Sequence, residues 1–201
     1  MSNATLPDEI PLFPLNAVLF PGGSLPLRIF EARYMDMARE CMKSGTPFGV
    51  CLIREGREVG QPAIPEELGC AARIAEWDMP QLGMLNVVAR GGERFQVIER
   101  TVAANGLARA NVEWLDPEDD HAVPAHYEGC VTLLKAIAAD ARFAHLTEDA
   151  HYESASWVGY RLSEALPIPL RIKQQLLALE GSVERLLILH DFLKQRGLLG
   201  K

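Results

Sequence analysis

The sequence has no run of about 20 apolar residues, the length a helix needs to cross a bilayer, so no membrane contact is expected. The segment Met1 to Ile10 lacks a basic stretch followed by a long apolar one, and a cytoplasmic location is expected. Cysteine is sparse. The four residues Cys41, Cys51, Cys70 and Cys130 stand 10, 19 and 60 positions apart, which excludes the CxxC pairs of zinc ribbons and redox sites. Their neighbours are apolar, as in Gly49-Val50-Cys51-Leu52 and Gly69-Cys70-Ala71, so they read as buried free thiols in a reducing compartment. Positive charge is also short: 20 Lys and Arg against 27 Asp and Glu leave a formal net charge of -7. The arginines at 28, 33, 39, 54, 57 and 73 are scattered, and without a basic patch binding to nucleic acid is excluded. The longest acidic run, Glu118 to Asp120, reads as a solvated loop.

The motifs of catalysis are missing as well. A P-loop needs GxxxxGK[ST] so that backbone amides and a lysine can surround phosphates, and Gly200-Lys201 has neither the first glycine nor a hydroxyl residue after it. A nucleophile elbow GxSxG is approached only by Gly22-Gly23-Ser24-Leu25-Pro26, where proline replaces the second glycine and a strand follows. The histidines at 121, 126, 145, 151 and 190 form no HExxH. His145 and His151 bracket Glu148 and Asp149, a group that reads as a polar loop between helices. No catalytic residue, metal or cofactor is expected, and no repeat of about 20 to 50 residues suggests a solenoid.

What is present is an ordinary globular composition, 48% hydrophobic and 23% charged over 201 residues. From Glu9 to Leu115 short apolar runs alternate with Pro and Gly; from Ala125 onward the period is helical. The spacing predicts strands at 10–15, 25–29, 48–53, 70–77, 84–90, 93–101 and 107–115, and seven short strands suggest a closed or nearly closed barrel. The prolines at 11, 14 and 26 predict sheet edges or bulges. A helix is predicted over 31–44, with Tyr34, Met37, Ala38, Cys41 and Met42 on one face, Glu31 in its first turn and Gly45 ending it. Further helices are predicted at 125–141, 153–166, 169–179 and 183–196, the last with Ser182 as its N-cap and Gly197 after its end. The expected organisation is a β-barrel domain over 1–116, a polar linker over 117–124 and a helical subdomain over 125–201. Trp77, Trp114 and Trp157 read as core residues. If one belongs to a ligand surface it is Trp157 with Tyr160 and Arg161, an aromatic pair beside an arginine at helical spacing.

The stretch Ile10-Pro11-Leu12-Phe13-Pro14-Leu15-Asn16-Ala17-Val18-Leu19-Phe20-Pro21-Gly22, followed by Leu25-Pro26-Leu27-Arg28-Ile29-Phe30-Glu31-Ala32-Arg33-Tyr34, resembles the opening of the substrate-binding domain at the N-terminus of Lon proteases. The likeness continues through Phe48-Gly49-Val50, Gly69 to Ile74, Leu85 to Val97 with its Gly91-Gly92-Glu93-Arg94-Phe95, and Ala110 to Leu115. Leu166 to Leu193 resembles the helical tail of that domain. The resemblance implies an α+β fold: a pseudo-barrel of about six strands with an embedded helix, followed by a C-terminal helical bundle.

Within the motif, Pro14, Pro21, Gly22, Pro26, Phe30, Tyr34, Gly91 and Phe95 are the residue types that shape turns and fill a barrel. Glu31, Arg33 and Arg94 are charges inside apolar motifs, costly unless paired, so Glu31 is expected to pair with one of the two arginines. The resemblance further implies a non-catalytic, ATP-independent module for protein quality control that recognises unfolded or exposed apolar polypeptide. A dedicated partner protein is a further expectation from the same features. The alternative from another class is a small-molecule binder or enzyme using the barrel mouth or an inter-domain cleft.

Overall fold

A computed structural model describes residues 6–147 and 149–199. Glu148 of the His145–His151 group and the Gly200-Lys201 pair lie outside the described residues. The chain divides into two compact units, 1–116 and 117–201.

The first unit is built on seven strands and one helix. In chain order these are β1 (Glu9–Leu15), β2 (Ser24–Ile29), α1 (Ala32–Ser44), β3 (Phe48–Glu55), β4 (Ile64–Pro65), β5 (Leu68–Gln81), β6 (Met84–Val102) and β7 (Ala108–Trp114). Hydrogen bonding runs β1-β7-β6-β5-β3, and a parallel pairing of β3 with β1 closes the ring. Strand β2 hangs on β6 and β4 on β3, outside that ring. The result is a mixed sheet closed by five strands, with two more attached.

The double glycine at 91–92 predicts a break between two strands, but β6 runs unbroken for 19 residues. The glycines instead mark a change of neighbour. Residues 85–90 pair with β2, while residues 95–102 pair with β7. At Gly91 the backbone of the Phe20 turn comes so close that an added Cβ would lie 2.1 Å from the Phe20 carbonyl oxygen.

Proline placement also differs from the expectation in one case. Pro26 does sit on an edge strand, but β1, with Pro11 and Pro14, is inside the ring. It tolerates them because it pairs with β7 over 9–11 and with β3 over 12–15, so at each proline only one flank of the strand carries a ladder.

Two apolar clusters fill the unit. One joins Phe13, Met37, Phe48, Leu85 and Val87, with Phe13 stacked on Tyr34 at 4.1 Å. The other surrounds Phe95 with Ile10, Leu12, Cys51 and Ala110. Space for the Phe95 ring exists because Gly49 and Gly69 carry no side chain; a Cβ on either would lie 2.5 Å from its tip. Burial pushes the Cys41 thiol up to about 11, with the Glu40 charge adding, and raises that of Cys51, consistent with thiols in an apolar interior.

Helix α1 presents Tyr34, Met37, Ala38 and Cys41 inward as its spacing predicts, and Gly45, at φ 72, ends it with its N–H on the Cys41 carbonyl. Met42, expected on the same face, is exposed. Glu31 stands at the N-cap in extended conformation, its carbonyl accepting from Tyr34 and Met35 while its side chain makes no capping bond. Its carboxylate meets Arg33 at 2.9 Å, while Arg33 donates to the Gly106 carbonyl. The expected ion pair therefore forms with Arg33, whose side chain is buried.

In the second unit a 3-10 turn at Ala125–Tyr127 leads into α2 (Glu128–Ala138), and a further 3-10 segment spans Ala141–Thr147. Then follow α3 (Ala155–Ala165), α4 (Leu170–Ala178) and α5 (Ser182–Gln195). Pro167 and Pro169 separate α3 from α4 as expected. Leu134, Val158, Leu162, Leu186, Leu189 and Leu193 form a buried interior. Ser182 does not cap α5. Gly181 occupies that position, and the Ser182 hydroxyl donates to the Asp119 carbonyl instead.

Candidate functional site

The residues that read as a linker and a solvated acidic loop are woven into the helical unit. Val123 donates to Glu153, and Ala155 donates to the His121 carbonyl. Glu118 is buried, with a side chain only 4% exposed. Its two carboxylate oxygens accept from Arg185 Nη1 at 2.8 Å and Nη2 at 2.7 Å. Tyr160 donates its hydroxyl to the same carboxylate at 3.1 Å, and Ser156 donates its own. Arg185 stacks over the Tyr160 ring at 4.0 Å and donates to the carbonyls of Leu176, in the last turn of α4, and Leu179, just past its end.

Tyr160 and Arg161, read from the sequence as a ligand surface with Trp157, are both buried. They are 5% and 3% exposed, and Arg161 pairs with Glu164 at 3.1 Å. A buried aromatic beside arginine has here the composition of an interface and the role of a core. Trp157 is half-buried, edge-on to Tyr152, and lines a cavity of about 440 Å³ with Asp120, His121, His151 and Glu153. Among the described residues no three His, Cys, Asp or Glu side chains gather as metal ligands, and no helix is long and apolar enough to cross a membrane.

The accessible apolar surface lies on the first unit. The hairpin β5–β6 exposes Trp77 (60%), Met79 (42%) and Leu82 (96%). Trp77 was expected in the core, as was Phe30, which is 53% exposed. Strand alternation does not reveal which end of a strand outruns its neighbours, and β5 reaches solvent beyond Ile74. Trp114 is half-buried; its indole N–H donates to the Pro7 carbonyl and its ring meets Phe95 edge-on.

Beside Trp77 the register aligns three rungs: Pro26 with Val88 and Glu76, Leu27 with Val87 and Trp77, Arg28 with Asn86 and Asp78. These nine residues line an open trough of about 400 Å³. Among the described residues, no hydrogen bond or ion pair engages the side chains of Arg28, Glu76 or Asp78. On the other side of β2, a cavity of about 290 Å³ is lined by Leu15, Leu25, Leu27, Phe30, Tyr34 and Val59 among others. Several of the motif residues surround this region. Pro21 and Gly22, at φ 68, turn the chain into β2, Pro26 and Phe30 lie on or next to it, and Gly91 locks it to β6. Tyr34 lines the cavity, whereas Pro14 and Arg94 are buried elsewhere in the unit and Phe95 lies in the second apolar cluster.

A seven-stranded mixed sheet with an embedded helix, and a trough offering apolar contact and charge, define a mixed α/β domain with a surface suited to a ligand. The description "ATP-dependent protease La (LON) substrate-binding domain" matches residues 9–195, and the chain belongs to that family. The crystal structure of a Lon N-terminal domain protein from Xanthomonas campestris is similar to it at 34% identity and a TM-score of 0.76, covering 91% of this chain and 97% of that one. The N-terminal domain of a Mycobacterium avium complex Lon protease shares the fold, with a TM-score of 0.62 at 18% identity over 91% of this chain and 96% of that one. A Lon protease of Cytophaga hutchinsonii is 25% identical over 92% of this chain, and one of Paraburkholderia phytofirmans is 34% identical over 62%. The chain spans only 24% and 16% of those two proteases. The family is that of a substrate-binding module.

Proposed function

We propose that this chain binds unfolded or exposed apolar polypeptide, and that it does so at the β2–β6–β5 trough and the hairpin beside it. The observation that carries the reading is the hairpin itself. Three large apolar side chains, Trp77, Met79 and Leu82, stand in water within six residues, next to an open trough floored by Pro26 and Val88. Leaving such side chains exposed forgoes about 1.5–3 kcal/mol each of burial free energy, and contiguous exposed apolar surface marks interaction sites. A partner that covers them recovers part of that. The flanking charges remain solvated at the rim, which suits a surface that must accept many sequences. Family membership supports the same reading, because the matched domain is the substrate-binding part of the protease.

The test is fluorescence anisotropy of a labelled, permanently unfolded protein titrated with this chain, beside the same label on a folded control. Saturable binding to the unfolded form alone is expected. The double variant Trp77→Ala, Leu82→Ser should weaken it by roughly 30-fold or more, about 2 kcal/mol, since aromatic anchors dominate such contacts. Trp77 is mostly exposed and Leu82 stands on the turn almost fully in solvent, so thermal stability should change little. Wild-type affinity in the variant would remove the hairpin from the site; equal binding of folded and unfolded labels would remove the function.

A further inference from the structure

Strand β2 has a partner on one flank only. It pairs with β6 from Ser24↔Arg90 to Ile29↔Leu85 without a register shift, and among the described residues no strand lies on its other side. Which backbone groups face outward follows from the turn before it. Gly91 donates to the Gly23 carbonyl, so position 23 faces β6; alternation then turns 25, 27 and 29 toward β6 and 24, 26 and 28 away from it. Pro26, which has no N–H to offer, occupies an outward position, where the ladder to β6 loses nothing. The open edge therefore presents the Pro26 carbonyl and both backbone groups of Arg28.

The side chains along the same edge sort by face. Leu25 and Leu27 point into the 290 Å³ apolar cavity, and Pro26 and Arg28 point to the outer face, where the 400 Å³ trough continues toward Glu76 and Asp78. On the outer face two carboxylates, Glu76 and Asp78, stand against the one guanidinium of Arg28, whereas Glu31 at the inner cavity is already balanced by Arg33. Resting on the polypeptide-binding reading above, we infer that the bound segment adds to the open edge of β2 as an extended strand, and that the favoured segments alternate apolar with basic residues. Its apolar side chains enter the inner cavity. Its basic ones lie along the outer face, where long side chains bring them within about 8 Å, a Debye length at physiological salt, of Glu76 and Asp78. Main-chain pairing explains how one site can take many sequences, because every residue but proline carries the same two groups. Pro26 also limits the number of bonds, which keeps the edge from pairing indiscriminately with other copies.

The probe is a labelled ten-residue peptide of alternating valine and lysine, titrated into the full chain, with two versions methylated on backbone nitrogen at all valines or at all lysines. In an extended strand these two sets of N–H groups point to opposite edges, so only one set can face β2. One methylated peptide is expected to bind at least about tenfold more weakly than the parent and the other to keep the parent's affinity. Equal affinity in all three, or equal loss in both methylated forms, would overturn strand addition; if the unfolded protein still binds, the polypeptide reading survives it. Failure of the parent peptide and of the unfolded protein alike overturns both. Replacing the lysines by glutamate should cost at least about tenfold, and equal affinity there overturns the assigned chemistry.

Discussion

Arg185→Met is expected to destabilise the helical unit by about 3–5 kcal/mol, the largest loss we anticipate from any single side chain in that unit. The reason is that Arg185 is fully buried and its charge is balanced by Glu118 alone at hydrogen-bond distance, through two parallel bonds. Methionine fills a similar volume, so packing changes little. What it leaves behind is a carboxylate, 4% exposed, whose remaining donors are the hydroxyls of Tyr160 and Ser156. Two carbonyls at the end of α4, those of Leu176 and the following Leu179, lose their donor as well. A small unit stabilised by about 5–15 kcal/mol gives up a large fraction of its stability. Urea denaturation followed by far-UV circular dichroism reads the loss. The double variant Glu118→Leu, Arg185→Met removes both charges and should recover more than half of it, since a buried pair is worth far less than either of its halves left alone. A loss below about 1 kcal/mol in the single variant would mean that water reaches Glu118 and that the pair is not the centre of the unit.

Gly91→Ala is expected to disrupt the first unit comparably, by at least about 3 kcal/mol and a fall in Tm of roughly 10 °C or more. The new Cβ meets the Phe20 carbonyl oxygen at 2.1 Å and the Phe20 carbonyl carbon at 3.0 Å. Neither can retreat. That oxygen accepts from Gly23, while Gly22 donates to Gly91 and Gly91 donates to Gly23, so the turn is fastened to β6 on both sides of the clash. The neighbouring Gly92→Ala is the control. Its Cβ would sit at ordinary contact distance from Ala71 and clash only with the far end of the Arg73 side chain, at 2.6 Å, which can swing aside at the cost of an exposed ion pair with Glu93, and a change under about 1 kcal/mol is expected. Thermal unfolding of the two variants separates a requirement for glycine at one position from a general intolerance of the segment. Because Gly91 also holds β2 in place, a Gly91→Ala chain that folds at low temperature should bind polypeptide poorly.

Much of the first unit is legible in the sequence. The faces of α1, the turn at Pro21-Gly22, the glycine end at Gly45 and most strand positions follow from local rules that act within a few residues. The double glycine misled for a physical reason: it looks like a break, yet it serves a close approach from Phe20, 71 positions away, which no local pattern encodes. The same holds for Glu118 and Arg185, separated by 67 positions. A carboxylate beside Asp119 and Asp120 reads as solvated until the helix that carries its partner is placed over it. Tyr160 and Arg161 have the residue types of a contact surface, and only burial distinguishes anchor from core. The exposed hairpin is hidden in the sequence because Trp77 and Met79 obey strand alternation; β5 and β6 run on together beyond the end of the β3 ladder at Ala72.

The most direct measurement of where this chain takes hold of polypeptide is amide hydrogen exchange of the full chain, free and saturated with the unfolded protein. Binding at the trough predicts slowed exchange at residues 24–30 and 76–88, strongest at the Arg28 amide on the open edge, with the amides around Trp157 unchanged. Protection confined to residues 120–157, with none at β2 or the hairpin, would contradict the account and move the site to the helical unit.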